Sequence, residues 1–225
     1  MLRIDLSVHF NTKHGGYDMR SIEHRQYTKK TGFIKGFLVA FAVMMLFISK
    51  SINTDNLIYA IGEIGTCDTG LFKNNVFWGD GVISPRYIVD YIFAAIMNLN
   101  GGSWASAAFI WIYLGVFIQS LGIANIVVRL VDRHYMLYAL LLSCLFGYNG
   151  NNLAGYGVIA LQSTSVGIAV AFSILAISFL FGNRNYSLAW MFAGCSSICH
   201  IHEGLYCTAV IFIFVLTEYI IEKSF

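Results

Sequence analysis

The sequence predicts an all-α protein: a polytopic transmembrane helical bundle of about six spans, with short interfacial helices in its first outer loop. Three observations carry that prediction. Of 225 residues, 57% are hydrophobic and 12% are charged, with a mean hydropathy of +0.67, whereas a soluble domain carries about 25% charged and 45–50% apolar residues. Apolar runs near spanning length recur along the chain, and Lys and Arg collect on alternate connections between them. Fourteen Lys plus Arg against twelve Asp plus Glu leave a net charge of +2, too weak a balance to call for nucleic acid. One Pro and 21 Gly exclude a Pro-rich or collagen-like chain. No Walker loop, GxGxxG or solenoid repeat is present, so nucleotide-driven transport and dinucleotide chemistry find no support.

Residues 1–32 form a cytoplasmic basic tail that touches anionic lipid; they carry no clear helical or strand period. The transmembrane domain, 33–225, opens with the run 33–48, entered at Lys35. Polar residues precede this run and no small-residue cleavage site follows it, so it reads as an uncleaved anchor. Further runs are 104–126, 135–148, 157–182, 186–199 and 204–221, two of them shorter than the roughly 20 residues a span needs. Cys144, Cys195, Cys199 and Cys207 fall in or beside these runs and leave Cys67 alone in a polar loop, so no disulfide is implied. Cys195 and Cys199, four apart on one helix, read as small polarizable packing residues rather than metal ligands.

Short loops rich in Lys and Arg stay cytoplasmic. With the N-terminus inside, eleven basic residues fall on inner segments and only Lys50, Lys73 and Arg86 on outer ones. Both ends of the chain are therefore expected on the cytoplasmic side of the plasma (inner) membrane. The same path puts Asp55, Glu63, Asp68, Asp80, Asp90, Glu203, His200 and His202 on the outer face.

The long connection 49–103 is too apolar for a solvated linker. Within it, 85–99 has a helical pattern, with Pro85 at a favoured first-turn position and Ser84 able to cap. Tyr59, Phe72, Phe77, Trp78, Tyr87 and Tyr91 are suited to interfacial anchoring. The succession of an anchor span, NTDNLIYAIGEIG (53–65), LFKNNVFWGD (71–80) and SPRYIVDYIFA (84–94) resembles the first outer loop of bacterial integral membrane proteins of the GT-C glycosyltransferase superfamily. The resemblance covers roughly residues 33–210 and rests on loose patterns. It implies transfer of a sugar from a polyprenyl-phosphate donor on the outer side of the membrane, with an acidic residue shortly after the first span as catalytic base. The matching position is Asp55. Members of that superfamily carry more than six spans, so the resemblance also implies a fragment or truncated relative that lacks acceptor-binding parts.

The residues themselves allow such chemistry. Glycosyl transfer needs a base for the acceptor hydroxyl and a means to hold the departing phosphate. Asp55, just beyond the first span, can meet a lipid-borne donor at the bilayer surface, or it can cap a helix over 56–64. Asp80, in WGDG, can assist the first carboxylate or bind a divalent cation, and it equally fits an ordinary Asp-Gly turn. Arg86 can contact a carrier phosphate, or touch lipid headgroups, or pair with Asp90. His200, His202 and Glu203 stand together at the outer boundary of the last span. They suit a metal-free polar wall that binds substrate, a zinc or manganese site, or an interfacial cap. On a regular helix His200 and His202 would point apart, so no metal ligand is assigned. The loop 147–157, with four Gly and three Asn, fits a plain outer turn or a re-entrant path lining a cavity. Gln162, Ser163, Thr164 and Ser165 after it serve as helix glue or as a polar ligand wall.

Two non-transferase readings compete. A transporter or flippase for lipid-linked glycans would place ionisable residues at mid-span, and only Lys35 and Glu218 approach that description, both near inner ends. A non-catalytic membrane subunit would tolerate replacement of the outer acids. The expected partners are membrane lipids and a polyprenyl-phosphate sugar.

Overall fold

A computed structural model of the chain describes residues 19–46, 87–147, 165–182 and 184–223. Among them are seven α-helices and no strand: α1 (Met19–Leu46), α2 (Tyr87–Leu99), α3 (Trp104–Leu130), α4 (Tyr135–Gly147), α5 (Ser165–Ser178), α6 (Tyr186–Cys199) and α7 (Ile201–Lys223). By length and composition α3 and α7 are long and apolar enough to cross a membrane. Helices α4, α5 and α6 run for 13, 14 and 14 residues, a rise of about 20 Å, short of the roughly 30 Å of a bilayer core.

Two boundaries depart from the sequence expectation. Met19–Gly32, expected as an irregular tail, is the first half of α1. Its Glu, Arg, Gln and Lys residues are good helix formers, and they extend a helix already nucleated by packing of the apolar half. The run 157–182 gives a helix over Ser165–Ser178 and a turn through Gly182, while 157–164 lie outside the described residues. The turn is fixed by Arg129, whose Nη1 donates to Phe181 O at 2.7 Å and whose Nε donates to Asn125 Oδ1 at 2.9 Å. Asn125 Nδ2 in turn donates to Ser178 Oγ at 2.8 Å.

Side-chain pairs fix the helix directions. Lys29 lies 4.0 Å from Asp132, and the rings of Phe37 and Phe117 are 5.4 Å apart, so α1 and α3 are antiparallel. Gln119 Nε2 donates to Gly167 O at 3.4 Å and Asn125 pairs with Ser178, so α3 and α5 are parallel. Ser196 Oγ donates to Ala169 O at 2.9 Å, and the rings of Phe179 and Phe192 stack at 5.7 Å, which makes α5 and α6 antiparallel. Helix α7 returns along α6, with Tyr186 of α6 hydrogen-bonded to Glu218 of α7 and Arg184 paired with the same carboxylate.

The result is a row in which α1 packs on α3 and α4, α3 on α5, and α5 on α6 and α7. Three apolar clusters fill it. One joins α2, α3 and α5 to Cys199, a second joins α1, α3, α4 and α5, and a third joins α5, α6 and α7. Short helix connections come together at one end of this row along with Arg129, Arg133, Arg184, Lys223 and the N-terminal half of α1. That basic end, counting Lys35 one turn inside it, takes every described Lys and Arg. Away from that end lie the start of α5 and the α6–α7 turn, with the first turns of α3 reaching beyond them. Away from the row, Leu38, Leu141, Leu205, Phe212, Ile213 and Ile220 are among many large apolar side chains left exposed, more than a water-facing surface ordinarily carries.

Candidate functional site

The α6–α7 turn is built from one residue. Helix α6 is started by Asn185, whose side chain accepts the Leu188 N–H at 3.1 Å, and it ends at Cys199. His200 then adopts an extended backbone at φ −155° and ψ 112°. Its N–H donates to Ser196 O at 2.8 Å and its carbonyl accepts the Gly204 N–H at 3.0 Å, so it closes one helix and opens the next. A Cβ at Gly204 would fall onto the backbone of Ser197; only glycine lets the two helices turn this tightly.

This local structure corrects the expectation that His200 and His202 point apart. That expectation assumed helical backbone through both residues, but His200 is the extended link, and the two imidazole rings lie 5.6 Å apart at 45°. His202 is exposed and His200 and Glu203 are half-buried. Nor is 199–204 a loop ahead of a span starting at 204: His202 and Glu203 belong to the first turn of α7. There the Glu203 carboxylate stands in the first turn, at the positive end of the helix dipole.

The pair of imidazoles beside a carboxylate can accept or donate hydrogen bonds to a polar ligand and can pass a proton. Among the described residues no three of His, Cys, Asp and Glu come together in a way that could hold a metal ion, so the zinc or manganese reading of this segment gains nothing. Cys144, Cys195, Cys199 and Cys207 are free thiols. Asp55, Asp80 and Arg86 lie outside the described residues, as do Cys67, Ser84, Pro85 and Gln162 to Thr164.

The sequence reading placed Asp90 on the outer side and as a partner for Arg86, but did not single it out as a site residue. Asp90 is 3% exposed, and Arg86 lies outside the described residues. Helix α2 buries Val89, Asp90, Phe93, Ala94 and Met97 and exposes Ile88, Tyr91, Ile92 and Leu99. Those buried positions fall on one arc at 100° per residue, and Asp90 lies within it. The apolar pattern 89, 93, 97 was the available signal. The arc is held in place by Gly101 and Gly102, whose φ of +67° and +80° let the chain reverse within a few residues into α3. Phe93 meets the rings of Trp104 and Trp111 at 6.3 and 5.8 Å.

No protein-family model, curated protein or solved structure matches the chain.

Proposed function

We propose that the chain is a multi-pass protein of the plasma (inner) membrane, with both termini on the cytoplasmic side. On this reading it moves a sugar from a polyprenyl-phosphate donor to an acceptor on the outer face, for synthesis of a cell-surface glycan. The single observation that most favours it is the one-sided placement of the basic residues along the bundle. Every described Lys and Arg gathers at one end, which suits a cytoplasmic face. The paired imidazoles and Glu203 stand at the other, where a lipid-borne donor would present its headgroup.

In this reading Asp55 takes the proton from the acceptor hydroxyl, Asp80 assists it, and Arg86, His200, His202 and Glu203 hold the phosphate and sugar. The six-span path of the sequence is part of the same proposal. A transporter or flippase is the competing reading. It would call for ionisable groups free to change partners at mid-span, and Glu218 is instead engaged by Arg184 and Tyr186.

The test is the surface glycan profile by mass spectrometry in cells carrying the intact chain or Asp55→Asn at equal membrane abundance. Asparagine keeps size and capping ability but accepts no proton. Loss of one sugar, with its polyprenyl-phosphate donor accumulating, is the expected outcome. A profile unchanged even when the whole chain is deleted would overturn the transferase reading.

A further inference from the structure

Helix register brings a second set of polar groups to the imidazole end. Ser196 Oγ donates to Ala169 O at 2.9 Å, and α5 and α6 are antiparallel. One helical turn further toward that end is therefore 196 + 4 on α6 and 169 − 4 on α5, which places Ser165 at the level of His200. Ser165 is 1% exposed, and its hydroxyl is buried without a hydrogen-bond partner. A buried hydroxyl left unbonded is costly, and a bound polar group would remove that cost.

Helix α2 reaches the same corner. Its Val89 and Phe93 share one apolar cluster with Ile168 and Ala169 of α5 and with Cys199, the residue before His200. Asp90, on the buried arc of α2, is thus carried toward the junction of α5 and α6. The Ser165 hydroxyl inside a largely apolar bundle is expensive to keep, and the buried Asp90 is carried by α2 to the same cluster that Cys199 joins.

We propose that Ser165 and Asp90 are ligand-binding residues of this same outer-end site, and that together with His200 they take the hydroxyl-bearing sugar headgroup of a lipid-linked ligand. This deepens the transferase reading and rests on it for the ligand class. A carboxylate and a serine hydroxyl suit sugar hydroxyls, which donate and accept hydrogen bonds, better than they suit a bare phosphate, which the carboxylate would repel.

The experiment uses the full chain in lipid nanodiscs with ring-¹⁵N-labelled histidine, the His200 signal being assigned by His200→Gln. The probes are polyprenyl-phosphate glucose and polyprenyl phosphate without sugar. Ser165→Ala should shift the His200 resonances, whereas Ser143→Ala, which alters a buried serine on the distant α4, should not. Polyprenyl-phosphate glucose should perturb His200 in the parent chain. Its apparent Kd should rise at least roughly tenfold in Asp90→Asn, equivalent to about 1.4 kcal/mol, with no change in thermal unfolding. A His200 signal indifferent to Ser165→Ala would overturn the shared site. A perturbation just as large with polyprenyl phosphate alone would overturn the sugar assignment. Binding that is sugar-dependent and lost in Asp90→Asn, for a chain whose complete deletion leaves the glycan profile untouched, would keep the site and remove the transferase reading.

Discussion

Helices α3 and α7 are alike in length and apolar character, yet α3 is largely buried in the protein and α7 largely exposed. Residue size explains the difference. Helix α3 carries Ala107, Ala108, Gly115, Ser120, Gly122 and Ala124 among its buried positions, small residues that let neighbouring helices approach on several sides. Helix α7 buries only Gly204, Cys207 and Ile211, a single stripe at spacings of three and four. Small residues distributed around a helix make it central, and a single stripe leaves it at the rim with its large side chains outward.

The strongest way to break that contrast is Trp111→Ala. Trp111 is 3% exposed and meets Phe93, and loss of a buried aromatic costs about 3–5 kcal/mol. Unfolding in a defined detergent, followed by loss of helical circular dichroism, should show a drop of that size. Gly122→Ala comes next. Its Cβ would lie 2.9 Å from Ile174 Cγ2 and 3.0 Å from the Leu175 backbone nitrogen, and overpacking of this kind costs about 1–3 kcal/mol because the backbone atom cannot rotate away. The same assay should place it between Trp111→Ala and the parent.

Ser103→Ala probes the start of α3 rather than its core. The Ser103 hydroxyl accepts the Ser106 N–H at 3.3 Å, and removing such a cap costs about 1 kcal/mol. The smallest effect should come from α7: Phe212 is 59% exposed, and Phe212→Ala should change stability by no more than about 0.5 kcal/mol. A loss comparable to that of Trp111→Ala would show that a partner covers α7 under the conditions of the measurement. Glu218→Gln sharpens the comparison in another way, since Arg184 and Tyr186 pin α7 through this carboxylate. Hydrogen exchange should quicken in the last two turns of α7 and leave the middle of α3 as it was, because local opening draws on the least buried element first.

Much of the fold was legible because helix formation and burial leave a period in the sequence. The runs 135–148 and 186–199 match α4 and α6 within a residue, and 85–99 foretold α2, since apolar residues at 89, 93 and 97 make one helix face. The extension of α1 to Met19 was not legible from hydropathy, because polar helix formers carry no apolar period. Of the candidate site, His200, His202 and Glu203 were named from residue type and position, but their mutual geometry was misjudged. One extended residue between two helices turned the imidazoles toward each other. The burial of Asp90 was not legible, because which face of α2 is covered depends on the helices packed against it.

The sequence by itself determined that the chain is helical, where most helices lie, and how its basic residues are distributed along them. These follow from backbone propensity, periodicity and charge position, which are local properties. The tertiary structure alone decided which apolar helix is central, which serine and which carboxylate are buried, and that α6 and α7 reverse through His200. Those depend on how closely two backbones approach, as at Gly204 against Ser197, and close approach belongs to pairs of helices rather than to any one stretch of chain.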